Sequence, residues 1–76
     1  MEEIIRILKD VRPDFDPDTQ AGLIENGLLD SLDLVNLVTE FDSEFGIEIP
    51  VEEITPENFD SVEAMKKLID RLKSEV

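Results

Sequence analysis

The 76 residues fit one small domain, and they include no Cys, His, Trp or Tyr. That removes disulfides, thiolate and histidine metal sites, and every nucleophile–base pair built on His. Seven Lys+Arg against twenty Asp+Glu give a formal net charge of −13, which repels phosphate backbones and excludes nucleic acid as a partner.

A helix is predicted over 2–12. Ile4, Ile5, Leu8 and Val11 recur at helical spacing, Glu2 and Glu3 open it, and Lys9 and Arg12 close it. Pro13 ends it, because the residue before a proline avoids the helical region. A long loop follows over 13–30, and loops of this length in small domains usually carry function. Phe15, Leu23, Ile24, Leu28 and Leu29 are its apolar anchors. The strongest helical pattern covers 31–45. Leu34, Val38, Phe41 and Phe45 mark one face with Leu37 beside it; Asp33, Asn36, Glu40 and Ser43 mark the other. Asp30 or Ser31 can cap its free N–H groups, and Gly46 stands where a helix stops. Ile47, Ile49 and Pro50 form an apolar connection. Thr55–Phe59 reads as a short helical turn with Thr55 as cap and Pro56 in the first helical position. The last helix, 61–74, turns Val62, Met65, Leu68, Ile69 and Leu72 inward, capped by Asp60 with Glu63 or by Ser61 alone. The predicted fold is all-α: a four-helix bundle in a single domain over 1–76, with three long helices, a short third one and a long first loop.

Hydrophobic content of 41% supports a folded core, of which a chain this short buries roughly 60–65% of its unfolded surface. No apolar run approaches the length of a membrane span, and the acidic start does not resemble a signal peptide. A cytoplasmic monomer is expected. All seven cations lie near the ends, at Arg6, Lys9, Arg12, Lys66, Lys67, Arg71 and Lys73. Residues 13–65 hold fifteen carboxylates and no cation. Helix dipoles explain the cations late in the end helices but not the empty run between them. The run fits a surface that meets basic partners.

Three candidate sites emerge. Asp14, Asp16 and Asp18 alternate and Glu25 lies eleven after Asp14, the ligand spacing of an EF-hand loop. Thr19 stands where that loop needs Gly, Pro17 stiffens it, and Gly27 cuts short any exiting helix. A calcium module is therefore a remote alternative, and no metal site is expected. Ser31 as a catalytic nucleophile has no base to activate it, so no catalytic residue is expected. Ser31 as a modified residue is the third candidate. In Gly27-Leu28-Leu29-Asp30-Ser31-Leu32 the serine stands where the loop becomes the strongest helix. A plain N-cap would account for it. A helix N-terminus also tolerates an attached phosphate, and a group placed there projects away from the bundle.

The Asp30-Ser31-Leu32 corner resembles the 4′-phosphopantetheine attachment motif of acyl carrier proteins. Leu23–Val35 is similar to that family's loop and second helix, Glu40–Pro50 to its helix end and apolar turn, and Ile54–Val62 to its third helix and the start of the fourth. The resemblance implies that a phosphopantetheinyl transferase moves phosphopantetheine from coenzyme A to Ser31. It implies a non-enzymatic carrier of acyl or aminoacyl thioesters in fatty-acid, polyketide or related biosynthesis. Asp30, Leu32, Asp33 and Val35 would surround the attachment point and, with Asp42, meet basic docking surfaces on ligases, synthases and transferases. Asn36 and Thr39 depart from the Glu and Met common in fatty-acid carriers. The 55–61 connection is longer than theirs and carries Pro56 and Phe59. Gly27-Leu28-Leu29-Asp30-Ser31 and Pro56-Glu57-Asn58-Phe59 look more like freestanding specialised carriers, among them D-alanyl and other aminoacyl carriers, which work with an AMP-forming ligase. An acidic interaction domain with an unmodified serine is the remaining alternative.

Overall fold

Helix boundaries fall where the capping residues put them. A computed structural model describes residues 2–19 and 21–74. Its helices are α1 (Glu2–Val11), α2 (Ser31–Phe45), α3 (Pro56–Phe59) and α4 (Val62–Ser74), with one 3-10 turn at Val51–Glu53 that the sequence reading lacked. No strand occurs among the described residues. α2 begins after Asp30, whose side chain accepts the Asp33 N–H, and stops at Gly46. Gly46 has φ of 64°, a left-handed conformation that glycine adopts without a Cβ penalty. Thr55 caps α3 through the Asn58 N–H, with Pro56 at the first helical position as expected. At α4 the choice resolves to Ser61, whose hydroxyl accepts the Ala64 N–H at 3.0 Å. Asp60 is used elsewhere.

One core joins all four helices and the loop. α4 buries Val62, Met65, Leu68, Ile69 and Leu72, the predicted set. α1 buries Ile4, Ile7 and Leu8, while Ile5 and Val11 are half-buried. Ile7 was not anticipated. Phe41 and Phe59 are fully enclosed, and each such side chain contributes about 1.5–3 kcal/mol relative to exposure.

α2 is turned from its expected orientation. Its buried ridge is Asp33, Leu37 and Phe41; Leu34, Val38 and Phe45 are half-buried flanks. Positions four apart share one face, so a helix burying Leu37 and Phe41 brings Asp33 inward too.

The long loop is packed against the bundle. Phe15, Leu23 and Leu29 are buried, Ile24 half-buried, and Leu28 remains exposed, against expectation. Leu23 fixes the loop's shape: its C=O accepts the N–H groups of Leu28 and Leu29, at 2.8 and 3.0 Å. The radius of gyration, 11.2 Å, is close to the roughly 11 Å of a compact chain of this length.

Candidate functional site

Ser31 is the first residue of α2, one position inside the Asp30 cap. It is exposed, and its hydroxyl has no hydrogen-bond partner among the described residues. Ser31 is therefore not the N-cap, so its hydroxyl is free for other chemistry.

The turn around it is held from both sides. Asp30 Oδ1 accepts the Asp33 N–H at 2.9 Å, and Asp33 Oδ2 accepts the Asp30 N–H at 3.2 Å. This reciprocal box uses Asp at its third helical position where Glu or Gln is usual. Arg12, at the end of α1, adds an ion pair from Nη1 to Asp33 Oδ2 at 2.9 Å. Its Nε reaches Asp14 Oδ1 at 3.3 Å. These two acids, Asp14 first, raise the Arg12 pKa, and the Arg12 hydrogen bond lowers that of Asp14.

The expected partner-facing residues divide into two groups. Asp30 is exposed beside Ser31; Leu32 and Val35 are exposed apolar side chains, at 69% and 57%. Leu28, three positions before Ser31, is also an exposed apolar side chain. Asp33 does not join it. At 8% exposure, and bound to Arg12 and Asp30, it is a buried structural carboxylate, not a free docking charge. Asp42 is half-buried, and its Oδ1 accepts the Ile49 N–H at 3.0 Å. That bond folds back the chain after Gly46 so that Ile47 and Ile49 enter the core. Arg12 is the site residue that sequence reasoning treated only as a helix end. Its partner lies 21 positions away, and no local pattern announces the pairing.

The alternating acids of the first loop have separate tasks. Asp14 pairs with Arg12, while Asp16 Oδ1 accepts the Asp18 N–H at 2.9 Å. Among the described residues, no three carboxylates converge on a point where a metal ion would sit.

A family model described as "Phosphopantetheine attachment site" matches residues 1–69. Aminoacyl carrier protein 1 of Bradyrhizobium diazoefficiens is 46% identical over 54 residues, covering 71% of this chain and 59% of that protein. The D-alanyl carrier protein of Lacticaseibacillus casei is 38% identical over 60 residues, covering 76% and 74%. The chain thus spans about three fifths of the length of the aminoacyl carrier it matches. Among solved structures, a chain described under "Crystal structure of FAD-dependent dehydrogenase" aligns with a TM-score of 0.67 at 37% identity. The alignment covers 95% of this chain and 100% of that one, so the matched chain is itself of similar size.

Proposed function

The chain belongs to the phosphopantetheine-attachment family of carrier proteins, and from that premise we propose that it carries acyl or aminoacyl thioesters on an arm attached at Ser31. The observation that supports this most is the free hydroxyl at the first position of α2, outside the Asp30–Asp33 box. Covalent attachment needs an exposed hydroxyl that makes no hydrogen bond on which the fold depends. The phosphodiester that results gains from the helix dipole beside it.

The family's group is a covalent 4′-phosphopantetheine, whose thiol supplies the thioester sulfur that a chain without Cys lacks. In the loading step the Ser31 oxygen forms a bond to phosphorus. The pyrophosphate bond of coenzyme A breaks, its nucleotide half leaves, and the hydroxyl proton passes to the transferase. In this proposal the transferase supplies the base and the chain serves as carrier, in keeping with the absence of His from the chain and of Lys from residues 13–65. The dehydrogenase description of the matched structure is accordingly not carried over to it.

Partners would dock on Asp30, Leu28, Leu32 and Val35, with the surrounding acids steering basic surfaces. The proposed setting is the cytoplasm; among the described residues, no helix is long and apolar enough to cross a membrane. Likeness to aminoacyl and D-alanyl carriers supports an aminoacyl cargo loaded by an AMP-forming ligase as the narrower form of the proposal. Intact mass after co-expression with a broad-specificity transferase tests the role. A gain of about 340 Da, the mass of the arm, is expected; no gain with an active transferase refutes it. The group found on carrier purified from its host then identifies the cargo.

A further inference from the structure

We propose that Arg12 is a positioning residue for the modification of Ser31; the inference rests on the carrier reading above. Arg12 is the first residue after α1, and Ser31 opens α2 after 18 intervening residues. Asp33 joins the two elements. A single oxygen, Asp33 Oδ2, takes Arg12 Nη1 at 2.9 Å and the Asp30 N–H at 3.2 Å. Asp30 Oδ1 closes the ring on the Asp33 N–H at 2.9 Å. Ser31 sits between the two acids of this ring, and Arg12 anchors the ring to α1.

Two consequences follow for loading. The first is geometric. The anchor holds the first turn of α2 in place against α1, and with it the direction in which the Ser31 oxygen is offered. Small displacements of a reacting atom cost large factors in rate. The second is electrostatic. Coenzyme A brings anionic phosphates to an oxygen flanked by Asp30 and Asp33. Arg12 neutralises the buried one, through a charge-assisted bond stronger than a neutral one. Without Arg12, Asp33 would be an unpaired carboxylate whose side chain is only 11% exposed. Such a group swings toward water and breaks the ring, or stays and repels the donor. Arg12 also spans to Asp14, so the guanidinium is held at both ends.

The test is steady-state loading of the full chain by a phosphopantetheinyl transferase with coenzyme A, beside thermal unfolding of each variant. Arg12→Gln is expected to lower kcat/KM about tenfold while the protein is folded at the assay temperature. Adding Asp33→Asn to Arg12→Gln is expected to restore loading to within about threefold of wild type. The amide oxygen introduced at position 33 still accepts the Asp30 N–H and can accept a bond from the amide introduced at position 12, so the tie toward α1 is kept and no buried charge remains. Should Arg12→Gln not fold, Arg12→Lys carries the test. It keeps a cation beside Asp33 but, as a single point donor, not the span to Asp14, so a loss in kcat/KM of about threefold is expected. Wild-type rates for Arg12→Gln would overturn the proposal. So would failure of Asp33→Asn to rescue it, or unchanged kcat/KM in a folded Arg12→Lys. A wild-type chain that gains no arm refutes the carrier reading itself and is separable from all of these.

Discussion

The Asp60 carboxylate accepts the Ile24 N–H at 2.8 Å across 36 positions of sequence. The same oxygen takes the Glu25 N–H at 3.0 Å, and the Asp60 C=O takes the Leu23 N–H at 2.8 Å. Three consecutive N–H groups of the long loop therefore end on one residue, at the junction of α3 and α4. Leu23 in turn receives Leu28 and Leu29, the last apolar residues before Asp30 and Ser31. The loop that leads to Ser31 is thus shaped from the far end of the chain.

Asp60→Ala leaves the Ile24 and Glu25 N–H groups without that acceptor. Glu25 is exposed and rehydrates; Ile24 is half-buried and does so less well. The expected loss is about 1–2 kcal/mol. In a domain of this size the thermal midpoint falls by about 4–8 °C per kcal/mol. Hydrogen exchange at Ile24 and Glu25 should accelerate before exchange in α4 does. Asp60→Asn keeps an acceptor oxygen and should lose less. Unchanged exchange at both amides in the alanine variant would show that the clamp does not hold the loop.

Ser31→Ala and Asp30→Ala should part in opposite directions. The cap is Asp30, so removing the Ser31 hydroxyl changes stability by no more than about 0.5 kcal/mol while abolishing gain of the arm. Asp30→Ala should cost about 1 kcal/mol, as loss of an N-cap does. Unfolding curves and intact masses of the two variants check this. An alanine variant at position 31 that still acquires the arm would move the attachment site elsewhere.

Local signals are what the sequence made legible. Thr55-Pro56 and Gly46 announce their caps by residue type, and Val62 to Leu72 announce their face by spacing. The orientation of α2 was not legible. Its apolar pattern is broad, and the cation that satisfies Asp33 once Leu37 and Phe41 turn it inward is Arg12, 21 positions away and beyond any local window. Asp60 and Ser61 both read as caps for α4; Ser61 fills that role, and residue type alone gives no sign that Asp60 is released to hold the loop. Ser31 was correctly placed at the loop–helix corner. Its freedom from capping emerged only once the Asp30 side chain was seen to bond the Asp33 N–H.

Acid should act on stability in two stages. Asp14 is held low by its hydrogen bond from Arg12, and Asp70 by its hydrogen bond from Lys66. A carboxyl whose folded pKa is depressed lends stability above its unfolded pKa and loses it as pH falls through the folded value. That loss belongs below about pH 4. Above it the opposite trend applies, because protonation relieves repulsion in a chain of net charge −13. Sodium chloride should raise the thermal midpoint at pH 7 and do so less at pH 5. Lys66→Ala should reduce the loss below pH 4. A midpoint at pH 7 that ignores salt would contradict this account.

With Asp33 buried, the proposed docking face on α2 rests on other residues. Charges at the rim of an interface act mainly on association rate and its salt dependence, whereas apolar anchors act on dissociation. Asp30 lies exposed next to Ser31 but also caps α2, so a charge change there disturbs the helix as well. Leu32 and Val35 are cleaner probes. They are exposed, contribute nothing to the core, and stand three apart on one face of α2. Leu32→Ala and Val35→Ala should leave the thermal midpoint within about 2 °C of wild type, since both side chains stay more than half exposed in the folded chain. Each should raise the KM for transferase loading about three- to tenfold, with the same factor at low and high salt. Exposed Glu40, farther along α2, supplies the charge comparison. Glu40→Lys should slow loading at low ionic strength and approach wild type as salt is added. If both apolar variants load with wild-type KM at every salt concentration, partners do not use the Leu32–Val35 face of α2.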